Sequence, residues 1–165
     1  MSAISASQVK ELREKTGLGL MDCKKALEEA NGDIDLAIEE LRKTSGIKAS
    51  KKSGRSAADG LIGITNKDKD LFMIEVNCET DFVARDDSYI NFTKETLDTY
   101  SNNPSHSLEQ LLESGVEDNR EKLVQKLGEN IVVRRLAKSE ASSISGSYLH
   151  SNHKTGSSVS LVAAD

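Results

Sequence analysis

The chain has 165 residues, of which 36% are hydrophobic and 30% are charged, with a single Pro and no Trp. This composition indicates a folded, mostly helical protein of one or two small domains, and it excludes a chain that is disordered throughout. No apolar run approaches the roughly 20 residues that a bilayer-spanning helix needs. The first residues, Met1–Ala3, lead into a polar, periodic segment rather than an apolar leader, so we expect neither membrane insertion nor secretion.

The two cysteines, Cys23 and Cys78, lie far apart and form no CxxC pair. Their spacing argues against a disulfide scaffold or a cysteine-rich zinc site and favours a reducing compartment, so we interpret the chain as a cytosolic protein. The three histidines lack supporting Cys or acidic residues at metal-ligand spacing; they are His106, His150 and His153. The sequence therefore predicts no metal site and no cofactor.

Charge is divided unevenly along the chain. Residues 1–55 hold 11 Lys and Arg against 9 Asp and Glu, whereas residues 56–165 hold 11 against 18. The net charge is therefore +2 in the first part and −7 in the second. Because nucleic-acid binding depends on a basic face that releases counterions from phosphates, the acidic body argues against direct contact with nucleic acid. A protein partner is the favoured interpretation.

Residues 5–43 are predicted to form three short helices around a small core. The first begins at Ser5 or Ser7, both of which are good N-cap residues. The second starts at Leu20, which lies on its apolar stripe, and the third opens at Asp33. About 40 residues can bury only a small core.

Gly46 is predicted to end the third helix, and residues 44–57 to form a basic linker, with partly helical structure left open. Residues 43–55 carry five cations and no acid. A nucleic-acid arm is one interpretation of such a run, but charges on a hinge are more often only solvated. The predicted domains are thus a three-helix domain at 1–43, the linker, and a core at 58–165.

Met21 does not fit the core of the second helix. It shares a face with Lys24, Lys25 and Glu28, about 100° from Leu20, so we expect its side chain at the surface. Scattered exposed apolar side chains are common. A partner contact is the alternative, since flexible, polarizable Met suits protein-binding surfaces. The sequence leaves both interpretations open.

The remainder of the chain is predicted to be an α+β core, an antiparallel sheet with helices on one face. The strands at 60–64 and 71–76 are predicted to form a hairpin around the polar turn at 66–70. The other predicted elements are helices at 87–100, 107–113 and 118–127, and strands at 131–136, 144–150 and 158–162. The chain stops in or just after the last strand. We therefore expect the core to be truncated at its C-terminal end.

The most unusual segment is Glu75–Arg85, which joins the buried second strand to the following helix. Thr80 and Asp81 suit helix capping, which is a purely structural role. Phe82 follows Asp81 at a polar turn, where an aromatic side chain must either pack beneath the sheet or project into solvent. The residues alone do not decide between these placements.

Two segments closely resemble the signature segments of the elongation factor Ts family, the guanine-nucleotide exchange factors of elongation factor Tu. They are Leu12–Leu27, LREKTGLGLMDCKKAL, and Glu75–Arg85, EVNCETDFVAR. The similarity covers essentially the whole chain, including Gly128–Arg135 and Gly146–His150. The resemblance implies an N-terminal ubiquitin-associated-like three-helix domain, a linker, and the α+β unit as the first subdomain of a core.

The resemblance implies a translation elongation factor whose partner is elongation factor Tu, in its GDP-bound and nucleotide-free forms. Carried over by position, Arg13, Leu20 and Met21 would contact the nucleotide-binding domain of that partner. The family often has Met where this chain has Leu20. Leu has a compatible volume, so little change is expected.

The resemblance also implies a tip that enters the partner near its magnesium site. Phe82 would act as an apolar wedge, and Asp81 would disturb the magnesium and phosphate contacts that hold the nucleotide. Leu127 and His150 would support this contact from neighbouring elements. No bond is made or broken in such an exchange, so the chain is predicted not to be an enzyme.

The chain departs from the family pattern at its C-terminal end, and two rival functions remain. Long members continue into a second core subdomain and a helical hairpin, whereas short homodimeric members end before the strands at 144–162. A thiol enzyme built on Cys78 has no support in residue spacing. A peptide- or ubiquitin-type binding module without exchange activity is the other rival, because fold alone does not set function.

Overall fold

The computed structural model describes residues 4–139 and 144–161, which form two compact units. The first unit holds the described residues up to Gly54 together with Asp118–Glu129. The second holds Arg55–Glu117 and the described residues from Asn130 onward. The structure therefore adds residues 118–129 to the N-terminal helices, an assignment that no local sequence pattern indicates.

Three helices form the N-terminal part of the first unit: α1 (Ala6–Thr16), α2 (Leu20–Glu29) and α3 (Ile34–Lys52). Ser5 is the N-cap of α1 and forms a capping box with Gln8, which confirms one of the two predicted starts. Asp33 caps α3, since its carboxylate accepts a hydrogen bond from the Leu36 amide at 3.0 Å. The starts of α1 and α3 are thus determined by local capping.

The core of the first unit combines apolar side chains of the three helices with one from the loop between α1 and α2. Leu12 and Leu27 have no exposed surface. Leu20, predicted on the core stripe of α2, is 55% exposed, so this prediction is wrong. Leu18 in the loop is 2% exposed and is the leucine of this segment that enters the core.

The helix α3 continues past Gly46 to Lys52, so the prediction that Gly46 ends it is wrong. Residues 44–52 of the predicted linker are therefore helical. The physical reason is a tertiary contact with α7 (Glu117–Leu127). A Cβ at position 46 would lie 3.1 Å from the carboxylate of Glu121, so glycine at this position leaves room for that side chain and does not reverse the chain.

Polar contacts also fasten the second half of α3. They join Arg42 to Asp118, Ser45 to Gln125, and Lys52 to the carbonyl of Gly128. Lys48 pairs with Asp22 of α2 at 3.1 Å. Because Lys48 and Lys52 bind groups of their own unit, the basic segment has a structural role, which weighs against a nucleic-acid arm.

The second unit is built on a three-stranded antiparallel sheet in the order β1-β2-β3. The strands are β1 (Asp59–Lys67), β2 (Asp70–Cys78) and β3 (Val132–Lys138). The predicted hairpin of β1 and β2 is confirmed, with Leu61 opposite Val76. The pairing of β2 with β3 carries a bulge between Glu75 and Val76.

Helices follow β2: α4 (Asp81–Ala84), α5 (Asp87–Asn102), α6 (Leu108–Leu111), and a π-helical turn (Leu112–Val116) that leads into α7. The helix α5 packs on one face of the sheet, where the Tyr89 hydroxyl donates to the Val76 carbonyl at 2.7 Å. Burial raises the pKa of the Tyr89 phenol, so the group stays protonated as a donor. The ring of Phe72 meets that of Tyr100 edge to face, with centroids 5.4 Å apart.

A second hairpin consists of β4 (Ile144–Leu149) and β5 (Gly156–Leu161). It forms a sheet of its own and packs on the face of β1 that carries Ile62 and Ile64. These residues alternate with Gly63, whose position faces α5, so the hairpin lies on the side away from the helices. A Cβ at Gly156 would lie 2.8 Å from the Ile64 side chain. Val162, predicted to extend the last strand, lies outside the described residues.

The α+β class, with an antiparallel sheet and helices on one face, is confirmed. The ubiquitin-associated-like character of the three-helix part stays a prediction. Within residues 4–139 and 144–161, no helix combines the length and the apolarity needed to cross a bilayer.

Candidate partner-binding site

The backbone of the segment after β2, which carries Phe82, is held in place by its neighbours. Cys78 ends β2 with no exposed surface. Thr80 caps the four-residue helix α4, and its hydroxyl accepts a hydrogen bond from the Val83 amide at 3.4 Å. Ala84 at the end of α4 is 3% exposed. The backbone around Phe82 is thus anchored on both sides.

The side chain of Phe82 projects into solvent and is 83% exposed. The sequence left open whether this ring packs beneath the sheet or projects, and the structure shows projection. Leaving a ring of this size in water forgoes roughly 2 kcal/mol of burial energy. An aromatic side chain held in the open on a fixed backbone is available to fill a pocket of a partner, as interface anchors do.

The carboxylate of Asp81 lies next to Phe82 on α4. Its Oδ2 atom is 3.0 Å from Nη2 of Arg85. The Arg85 side chain is 80% exposed, so this ion pair is solvated and opens at little cost. Arg85 was not predicted as a site residue, although its i, i+4 spacing from Asp81 could have indicated the pair. Residues 79–87 together hold four acids and one cation, a net charge of −3.

A cavity of about 440 Å³ lies beside α4. Its apolar lining comes from Leu61, Ala84 and Ile90. Its polar lining includes Asp81 and residues 151–154, the turn between β4 and β5. The structure therefore brings this turn to the same side of the second unit as Asp81.

His150 begins the turn, one residue after β4 ends, rather than lying on the predicted strand. Its amide donates to the Thr155 carbonyl at 2.9 Å, and its carbonyl accepts from the His153 amide at 2.8 Å. The exposed imidazole meets the ring of Tyr148 edge to face, with centroids 6.3 Å apart. His150 is thus an exposed side chain on an ordered turn.

Three further predicted site residues lie around the junction of α1 and α2 in the first unit. Arg13 is exposed in the last turn of α1. Leu20 and Met21 are 55% and 71% exposed in the first turn of α2. The prediction that Met21 lies outside its own core is confirmed. This junction therefore presents two adjacent apolar side chains and a cation, and we call it the α1–α2 surface.

Leu127 is half-buried at the end of α7 and belongs to the first unit. Asp81, Phe82 and His150 belong to the second. A supporting role of Leu127 in the tip contact stays a prediction. Across the part of the chain that the structure describes, no group of three or more His, Cys, Asp or Glu side chains is arranged to hold a metal ion.

The family model described as Elongation factor TS matches residues 79–165, more than half of the chain. The chain belongs to the elongation factor Ts family. The match covers the tip segment from Glu79 onward, including Asp81, Phe82 and His150. The match confirms the resemblance over the part of the second signature segment that it covers, residues 79–85.

Curated relatives from this family match all or nearly all of the chain. The elongation factor Ts of Marinobacter nauticus is 52% identical over 167 residues, covering 100% of this chain and 57% of the relative. That of Hahella chejuensis is 51% identical, covering 98% of this chain and 57% of the relative. That of Arthrospira platensis is 46% identical, covering 100% of this chain and 70% of the relative. The chain thus spans a little over half the length of the first two family members.

Proposed function

We propose that this chain is a translation elongation factor that binds elongation factor Tu and promotes the release of GDP from it. Family membership supports the proposal. The observation that carries it is Phe82, an aromatic side chain that is 83% exposed on an anchored helix beside an acidic residue. The activity is one of binding, in which no bond is made or broken, and its compartment would be the cytosol, where translation takes place.

The proposed mechanism of the tip has two parts. Phe82 enters elongation factor Tu as an apolar wedge, a transfer from water that contributes roughly 2 to 3 kcal/mol. Asp81 brings negative charge to the magnesium and phosphate site and weakens the contacts that hold the charged end of GDP. The net charge of −3 over residues 79–87 adds repulsion against an anionic nucleotide.

Nucleotide and exchange factor are antagonists in this mechanism. If the chain binds nucleotide-free elongation factor Tu best, linkage requires each ligand to lower the affinity for the other by the same factor. We assign the α1–α2 surface, which belongs to the other unit, to affinity for elongation factor Tu. We assign supporting contacts to His150 and Leu127, so His150→Ala should slow exchange less than a change at the tip.

The experiment that tests the function is release of a fluorescent GDP analogue from elongation factor Tu, with and without the chain. We expect the wild type to accelerate release and Asp81→Ala to lose most of the acceleration. Binding to elongation factor Tu without acceleration would contradict the exchange function and favour the alternative of a binding module without exchange activity. Affinity is measured in parallel by titration, so that weak binding is not mistaken for lack of exchange.

The α1–α2 surface is tested by Met21→Ala. We expect the affinity for elongation factor Tu to fall about tenfold, as for a central apolar contact, with no change in melting temperature, because the side chain is 71% exposed. Ile47→Ala is the matched control, an apolar side chain on α3 of the same unit that is 58% exposed. Equal losses for the two variants would remove Met21 from the docking surface.

A further inference from the structure

The turn that begins at His150 is attached to β1 by two contacts. The Ile62 amide donates a hydrogen bond to the His153 carbonyl at 2.7 Å. The Lys154 ammonium reaches both carboxylate oxygens of Asp59, at 2.7 Å and 2.9 Å. Asp59 and Lys154 are 95 positions apart in the chain, so only the folded structure brings them together.

The carboxylate of Asp59 is held in place by its own surroundings. Its Oδ1 atom accepts a hydrogen bond from the Gly60 amide at 2.8 Å. The backbone carbonyl of Asp59 accepts a hydrogen bond from the Asn77 side chain at 3.0 Å. The hydrogen bonds from Lys154 and from the Gly60 amide lower the pKa of Asp59, which is ionised at neutral pH. With side chains 24% and 45% exposed, the Asp59–Lys154 pair is partly sheltered from water.

Within the turn, short-range hydrogen bonds connect Lys154 to His150. The Lys154 amide donates to the Asn152 side-chain oxygen at 3.0 Å. The backbone amide of Asn152 in turn donates to Nδ1 of His150 at 3.4 Å. A displacement of Lys154 is therefore transmitted to the His150 ring and to residues 151–154, which line the cavity beside α4.

We propose that the Asp59–Lys154 ion pair is a clamp that positions this turn, and with it His150 and one wall of the cavity beside Asp81, for contact with elongation factor Tu. The inference rests on the proposed exchange function and adds two positioning residues to it. Neither residue needs to touch the nucleotide or its magnesium ion. Both act by keeping the turn seated on β1, beside the helix that carries the wedge.

The test combines the GDP-release measurement with variants of both partners in the full chain. Lys154→Glu sets two carboxylates against each other and should lower the acceleration about fivefold, while Lys154→Arg, which keeps the cation, should retain it. Asp59→Asn keeps an acceptor for the Gly60 amide but removes the charge, and should lower the acceleration about threefold. Because Asp59→Asn leaves Lys154 intact, it separates clamping from a direct contact of Lys154 with the partner.

Lys138→Glu is the matched control. Lys138 pairs with Asp70 at 2.8 Å in the same unit, with side chains 33% and 25% exposed, so the substitution makes the same change in net charge. The Lys138–Asp70 pair links the neighbouring strands β3 and β2 and does not involve the turn. The acceleration should stay within about twofold of the wild type, since this pair holds no residue of the turn in place.

Hydrogen exchange of the Ile62 amide measures, in the absence of elongation factor Tu, whether the turn stays bound to β1. In the wild type this amide is bonded to the His153 carbonyl, and Lys154→Glu should expose it to exchange while the β1–β2 ladder stays protected. Unchanged Ile62 protection, or normal GDP release with Asp59→Asn, would overturn the clamp. The wild type itself could fail to accelerate GDP release while Lys154→Glu still exposes the Ile62 amide to exchange. The proposed exchange function would then be wrong, whereas the attachment of the turn to β1 by the Asp59–Lys154 pair would be supported.

Discussion

Phe82→Ala is expected to remove most of the exchange activity while the protein stays folded. The ring is 83% exposed, so its loss should change the free energy of unfolding by less than about 0.5 kcal/mol. As a buried anchor in the complex, it should cost at least about 2 kcal/mol of binding, which corresponds to a fall of about 30-fold in the rate of stimulated GDP release at limiting concentration. Release kinetics and thermal melting measure the two quantities separately.

The matched control is Phe92→Ala on α5. Phe92 is 5% exposed, so the same substitution at this position should destabilise the chain by about 3 to 5 kcal/mol. The pair of variants therefore separates a ring that serves binding from one that serves the core. A loss of stability in Phe82→Ala that approaches that of Phe92→Ala would mean that Phe82 packs against its own protein and is not a wedge.

Gly60→Ala is expected to cause the largest loss of stability of a small substitution in the second unit, about 4 to 5 kcal/mol. Gly60 has a φ of +148°, a conformation that residues with a side chain rarely adopt. A Cβ at this position would lie 2.1 Å from the Val76 carbonyl oxygen and 2.7 Å from Cα of Asn77. Both atoms belong to the backbone of β2, so relief requires separation of β1 from β2 at this point.

Chemical denaturation monitored by circular dichroism measures this loss. Gly146→Ala on β4 is the control, because a Cβ there would meet only the Val159 side chain at 3.6 Å, an ordinary van der Waals distance. It should change the free energy of unfolding by less than about 1 kcal/mol. Similar stabilities of the two variants would show that the strands shift apart at Gly60 without penalty, contrary to the geometry.

Elements with strong local signals were predicted correctly. The capping box of Ser5 starts α1, and α7 ends at the predicted residue Leu127, just before Gly128 with its φ of +79°. The β1–β2 hairpin follows from two apolar runs separated by a polar turn. Each of these features depends on residues a few positions apart, and their physical causes are therefore visible in the sequence itself.

The errors share a different cause, which is competition from distant parts of the chain. Gly46 has the sequence signal of a helix end, but packing of α3 on α7 keeps it helical. Leu20 fits the apolar stripe of α2, but Leu18 from the loop takes the core position and leaves Leu20 exposed. In both cases a tertiary contact outweighs a local preference of roughly 1 kcal/mol.

The candidate site shows the same division. The sequence singled out Met21 and Phe82 because each is an apolar side chain in a polar setting, and both are exposed. It did not indicate that Asp81 pairs with Arg85, or that a turn 70 residues later lies across a cavity from Asp81. The roles of Arg13, Leu20, Leu127 and His150 came from family resemblance rather than from their local chemistry, and they stay proposals.

By itself, the sequence determined the α+β class, the starts of α1 and α3, the first hairpin and the family, because capping, periodicity and signature segments are encoded in contiguous residues. Only the tertiary structure decided that Phe82 projects, that α3 runs to Lys52, and that Asp59 meets Lys154. The physical reason is that each outcome depends on which surfaces compete for burial and which charges meet across long chain separations. Local preference is too weak to settle that competition, so the geometry of the binding surface is a property of the folded chain.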